Sequence, residues 1–141
     1  MKAFLSFILL VVISFSSKAQ EYQQVDSLFA KAKSENKKVL LYFSGSDWCA
    51  PCIRFKKKYI ENADFKEFAK NNLIVYNADF PRKKNNQLNK EIVKFNEELA
   101  DNYNKTGAFP KIILLDFNGF IIKEWLELPT ESIEEFIKNL K

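Results

Sequence analysis

The sequence predicts an α/β domain: a mixed central sheet, ending in a C-terminal antiparallel hairpin, with helices on both faces. Three observations carry that expectation. From Gln20 onward, helical and extended hydrophobic patterns alternate without a repeat or a low-complexity linker. Val39 to Phe43 is a continuous apolar run, as expected of a central strand covered on both sides. Asn118-Gly119 joins two extended runs and is a strong hairpin signal, because both residues accept positive φ.

Val25, Leu28, Phe29 and Ala32 recur at helical spacing, which places a first helix from about Tyr22 to Glu35. Val39 to Phe43 is the first strand, and Ser44-Gly45-Ser46-Asp47 a loop. A second helix opens at Cys49 and carries Ile53, Phe55, Tyr59 and Ile60; after a polar break at Glu61-Asn62, Phe65 and Phe68 extend the pattern. Leu73 to Ala78 is the second strand. Leu88, Ile92, Phe95, Leu99 and Tyr103 then fall three or four residues apart, the stripe of a helix that buries one side. Lys111 to Phe117 and Phe120 to Leu126 form the hairpin. A last helix carries Ile133, Phe136, Ile137 and Leu140, with Thr130 expected as N-cap and Glu131, Glu134 and Glu135 at the positive end of its dipole. Strand, helix, strand closes a right-handed parallel crossover, and the hairpin adds an antiparallel pair to the same sheet.

The chain has 141 residues, which suits one domain with or without a processed segment. Its 47% hydrophobic and 28% charged residues are ordinary globular usage and exclude a disordered or disulfide-dense chain. There is no His, so Ser-His-Asp and Cys-His hydrolase mechanisms are excluded.

Lys2 and Lys18 flank an apolar run from Ala3 to Phe15, and Ser17-Lys18-Ala19 supplies small residues before Gln20. The layout is that of a signal peptide over residues 1–19, followed by one domain over 20–141. The run is shorter than the roughly 20 residues of a spanning helix, so an uncleaved anchor is the lesser alternative and no stable membrane insertion is expected. The expected address is exported, periplasmic or secreted after cleavage. Losing Lys2 and Lys18 with the leader lowers the net charge from +4 to +2, too small an excess to support nucleic-acid binding.

Cys49 and Cys52, the only cysteines, follow the predicted strand in the run Trp48-Cys49-Ala50-Pro51-Cys52. In an oxidising compartment that spacing makes a Cys49–Cys52 disulfide the expected ground state. A Cys-x-x-Cys that opens a helix puts Cys49 at its N-terminus, where free amides and the dipole favour a thiolate, and Cys52 one turn deeper on the same face. Cys49 is therefore the candidate nucleophile and Cys52 the resolving thiol. Pro51 is tolerated in the first turn because its missing N–H has no partner there. Arg54 and Lys56-Lys57-Lys58 add positive charge nearby. A purely structural staple competes with this reading, but so short a loop removes only about 2 kcal/mol of unfolded-state entropy at most. A metal is not expected, since two sulfurs are half a structural zinc site and no His or third Cys exists. A domain that has lost its activity is the third alternative.

With Phe109-Pro110 at the start of the third strand, these residues resemble the thioredoxin family over essentially all of 22–141. The resemblance implies a thioredoxin fold, with Trp48 shielding the active site and Pro110 in the cis form beside the cysteines. Trp48, Phe109 and Pro110 are then substrate-binding, since the backbone at Phe109 stays free to pair with an extended client segment. Thioredoxins proper carry a buried Asp in the strand before the active site as proton acceptor for the resolving Cys. Here Leu40-Leu41-Tyr42-Phe43 has no carboxylate, and Asp47 is expected in solvent. Ala50 replaces the usual Gly, and the Ser44–Asp47 loop looks like that of exported bacterial thioredoxin-like proteins.

Together these readings predict a monomeric protein disulfide oxidoreductase without a cofactor. Its partners are client proteins with thiols or disulfides and an unidentified redox partner. It works through a mixed disulfide, in the reductive or isomerising direction, because the Cys-Ala/Gly-Pro-Cys type lacks the His that strong oxidants of the superfamily place between the cysteines. The competing class is a peptide-binding or chaperone-like module of the same fold, its disulfide incidental.

Overall fold

The computed structural model describes residues 23–141. The expected signal peptide and the Gln20 start lie outside the described residues. Helix α1 spans Gln23–Ser34, strand β1 Lys38–Ser44 and helix α2 Ala50–Phe55, which runs into a π-helical turn at Lys56–Ile60. Helix α3 (Ala63–Asn72), strand β2 (Leu73–Asp79), a 3-10 turn (Lys84–Asn86) and helix α4 (Lys90–Tyr103) follow. Strands β3 (Lys111–Leu115) and β4 (Ile121–Trp125) and helix α5 (Ile133–Lys138) complete the fold.

The sheet has four strands in the order β2-β1-β3-β4. β1 pairs parallel with β2 and antiparallel with β3, and β3 pairs antiparallel with β4. Side chains alternate across a strand, so one residue in two feeds each core. Leu40, Tyr42, Ile112 and Leu114 face Phe55, Tyr59, Phe65, Ala69 and Phe136. Val39, Leu41, Phe43, Ile113 and Leu115 face Leu28, Ala32 and Leu99 on the other side. The helices therefore cover both faces, as expected, and the end of β1 delivers the cysteine loop between two packed layers.

Four local expectations are corrected. The helix opened by the cysteines is not continuous: Glu61 N–H donates to the Lys56 carbonyl at 2.9 Å, a five-residue step, and Asn62 caps a new helix by accepting from Asp64 and Phe65. Phe55 and Tyr59 thereby both turn fully inward. Leu88 lies before the fourth helix, whose N-cap is Asn89. In the hairpin only Gly119 has a positive φ, 85°; the Asp116 carboxylate accepts from the amides of Asn118 and Phe120 and builds the turn instead. The last helix is capped by Ser132, not Thr130: the Ser132 hydroxyl accepts from the Glu135 amide, while the carbonyls of Thr130 and Glu131 accept from Lys58 Nζ. Glu131 accordingly stays outside the helix, and its carboxylate accepts from the Trp125 indole and the Asn139 amide.

Candidate redox site

β1 ends at Ser44, and the loop that follows is tied to the end of β2. Ser44 Oγ donates to Asn77 and to Asp79, and the backbone and hydroxyl of Ser46 donate to the two oxygens of the Asp79 carboxylate at 2.8 and 2.6 Å. The amides of Trp48 and Cys49 both donate to the Gly45 carbonyl, which winds the loop into the start of α2. Cys49 is the N-cap residue, and its sulfur accepts from the Cys52 amide at 3.3 Å, so a helix-terminal N–H points at Sγ. Pro51 sits in the first turn, where no N–H is needed.

The two sulfurs are bonded to each other, with Cα atoms 5.3 Å apart. Cys49 is 4% exposed and Cys52 2%, so in this oxidised state both cysteines are buried. Trp48 is held on three sides. Its indole N–H donates to the Phe80 carbonyl at 2.8 Å, the Arg82 guanidinium lies 3.8 Å over its ring, and Phe109 meets it edge-on at 5.3 Å. The Phe109–Pro110 bond is cis, and both residues are half-buried. The geometry thus brings Trp48 and Phe109 into contact beside Cys49.

Several contributors carry no sequence signal of their own. Asp47 is in the loop and partly exposed, as expected, yet it is fully engaged: its carboxylate accepts from the amides of Arg82 and Lys83 and from the Asn86 side chain. The Arg82 amide, more than the other donors, holds its pKa below the usual aspartate value against the opposing effect of burial. Asn96, buried on α4, donates to the Asp79 carbonyl and accepts from Tyr76, fixing the end of β2. Asn104, also buried, closes a ring with Ala108 through two hydrogen bonds and sets the approach to Phe109. Each of these pairs residues distant in sequence or belongs to a plain Asn, so nothing in the local pattern announced it.

Behind Cys52 lies a cavity of about 230 Å³ lined by Tyr42, Ser44, Ser46, Lys56, Lys57, Glu61 and Asn77. No carboxylate rises from β1. Tyr42 faces this space, and burial pushes its phenol up to about 12, with Asp79 and Glu61 adding to the shift. Among the described residues no cluster of three or more His, Cys, Asp or Glu is placed to hold a metal ion.

A disulfide at a helix N-terminus after a buried central strand, preceded by a Trp48 that packs on the phenylalanine of a cis Phe109–Pro110 bond, is a specific combination, and residues 25–140 match the thioredoxin-like domain family. The chain belongs to that family. As a thioredoxin-like domain it is similar to the disulfide bond reductase DsbH of Chlamydia pneumoniae, 38% identical over 88 residues. That match covers 62% of this chain and spans about half, 51%, of the reductase. A solved DsbH oxidoreductase superposes with a TM-score of 0.70 at 28% identity, over 79% of this chain and 75% of that one. A thioredoxin from Thermus thermophilus shares the fold, with a TM-score of 0.54 at 16% identity over 81% of this chain and 78% of its own. No helix of the described residues is long and apolar enough to cross a membrane.

Proposed function

We propose that this chain is an exported thiol-disulfide oxidoreductase that reduces or isomerises protein disulfides through a mixed disulfide at Cys49. The observation that carries the reading is the Cys49 sulfur at the helix cap, receiving the Cys52 amide at 3.3 Å. An N–H and the helix dipole aimed at one sulfur favour its thiolate, the form that attacks. In the reduced protein, Cys49 thiolate attacks one sulfur of a client disulfide. A Cys49–client bond forms, the client S–S bond breaks, and one client thiolate leaves. Cys52 thiolate then attacks Cys49 Sγ, the intramolecular disulfide forms, and the second client thiol departs, so two electrons pass from the cysteine pair to the client. The proton lost by Cys52 has a way out through the polar cavity behind it. Trp48, Phe109 and Pro110 form the client-binding wall, with the backbone beside Phe109 available to an extended segment. The reductive direction is supported by the likeness to a protein named a disulfide bond reductase. Export is supported by the basic, apolar and small-residue layout of residues 1–19.

Trapping tests the mechanism. Cys52→Ser leaves attack intact and removes release, so it should accumulate several-fold more reductant-sensitive complexes with client proteins on non-reducing gels than Cys49→Ser. The order of events dictates this, because release by a thiol one turn away normally outpaces escape. If Cys52→Ser traps nothing while the double mutant still binds extended polypeptide with unchanged affinity, the protein is a peptide-binding module and the oxidoreductase reading is wrong.

A further inference from the structure

The geometry points to a client preference that builds on the proposed oxidoreductase activity: the redox site is framed by cations and selects disulfides flanked by acidic residues. Two arms carry the charge. On one, Arg82 stacks on Trp48, and Lys83 and Lys84 follow it on the same exposed loop, which the Asp47 carboxylate pins by the amides of Arg82 and Lys83. On the other, Lys56 and Lys57 line the cavity behind Cys52, and Arg54 precedes them on the same helix.

The neighbouring anions offset these arms only in part, Asp47 acting on Lys83 and Glu61 on Lys56. Asp47 is occupied by three donors and Asp79 by Ser44 and Ser46, while Glu61 lies 3.8 Å from Lys56 alone. Arg54, Lys57, Arg82, Lys83 and Lys84 make no ion pair among the described residues. Six cations against three anions leave +3 at these nine positions, against +2 for the chain without residues 1–19. The excess charge is thus carried on the two arms that flank the cysteine helix, one on Trp48 and one along the cavity behind Cys52. A concentrated field of one sign raises the encounter rate of oppositely charged partners by about 10-fold or more at low salt. An acidic polypeptide segment fits better than another anion because the charge surrounds the sulfurs that a client disulfide must reach, next to the half-buried Phe109 and Pro110.

The test compares two synthetic peptide disulfides of equal length, with either Glu or Lys flanking the bridge, as substrates of the mature protein first reduced with dithiothreitol and freed of it. The second-order rate of peptide reduction is read at 10 mM and at 1 M salt, where the screening length falls from about 30 to about 3 Å. The Glu peptide should react about tenfold faster at low salt, and the ratio should collapse toward one at high salt. The triple variant Arg82→Gln, Lys83→Gln, Lys84→Gln should cut the low-salt ratio several-fold and speed the Lys peptide. Each rate is divided by that of the same peptide with free 2-mercaptoethanol at the same salt, which removes the effect of the flanking charge on the leaving thiol, so the ratio reports recognition by the protein. Equal rates in the unmodified protein at 10 mM salt overturn the preference. Equal rates accompanied by sedimentation on phosphatidylglycerol vesicles would assign the cations to an anionic membrane surface instead. Reaction with neither peptide overturns the oxidoreductase reading itself, a separate outcome.

Discussion

Gly45 lies under the Trp48 indole. A Cβ at this position would stand 2.1 Å from Trp48 Cε2, far inside any real contact, so Gly45→Ala forces the ring off its seat. The move costs the indole its bond to the Phe80 carbonyl and its place under Arg82. Overpacking of this kind destabilises by about 1–3 kcal/mol. The expected result is a lower urea midpoint, a shifted tryptophan emission and slower disulfide exchange; an unchanged midpoint and spectrum would mean the indole does not rest on Gly45 in solution. Cys49, Cys52 and Pro110 were legible because each residue type brings chemistry or geometry of its own. Gly45 and Arg82 were not, since each matters through one contact, with an indole three residues on in one case and thirty-four back in the other. Tyr42 was legible in part: the missing carboxylate on β1 is visible in the sequence, whereas the cavity it faces is made by residues from the π-helical turn and β2.

The loop after β2 is held to the cysteine loop mainly through Asp47, and that makes its order sensitive to acid. The Asp47 pKa is lowered in the folded protein, chiefly by the Arg82 amide, so its contribution is fully present above the ordinary aspartate value of about 3.9 and is lost as pH falls through the lower folded value. The Arg82 and Lys83 amide proton resonances should therefore titrate together with one midpoint below about 3.9, and Asp47→Ala should abolish that titration. A shared midpoint at or above the ordinary value would show that these amides do not hold the carboxylate. Boundaries set by such long-range bonds are what the sequence pattern misread. Thr130 looks like a cap until Lys58 and Tyr59 claim the carbonyls of residues 129–131. The helix from Cys49 looks continuous until the five-residue step at Lys56 absorbs the polar break. Element identity and order, by contrast, followed from hydrophobic period alone, because burial on one or both faces decides it locally.

Across the whole molecule the site depends on two cores that share one sheet. The cysteine helix packs through Phe55 into the core of α3 and α5, while Phe80 and Phe109, which brace Trp48, join the core of α1 and α4. Phe136 is the hub of the first core, fully buried, with ring centroids of Tyr59 at 4.4 Å, Trp125 at 5.3 Å, Phe55 at 6.0 Å and Phe65 at 6.1 Å. It sits on a helix of six residues, too short to be stable by itself, so α5 exists because Phe136 is buried. Phe136→Ala removes that anchor and opens a void bounded by four rings that cannot all collapse into it, at a cost of about 3–5 kcal/mol. Domains of this size have about 5–15 kcal/mol in total, so the loss is a large fraction of the stability. Urea unfolding of the oxidised protein followed by circular dichroism should show the midpoint fall accordingly. Phe136→Leu, which keeps most of the volume, should lose less than half as much. In a Trp125→Phe background, which leaves Trp48 as the one indole, the emission of folded Phe136→Ala should match that of Trp125→Phe alone, because the second core still holds Phe80 and Phe109. A loss under about 1 kcal/mol would mean that α5 is not seated on this core; a shifted indole emission in the folded variant would mean that the two cores do not support the site independently.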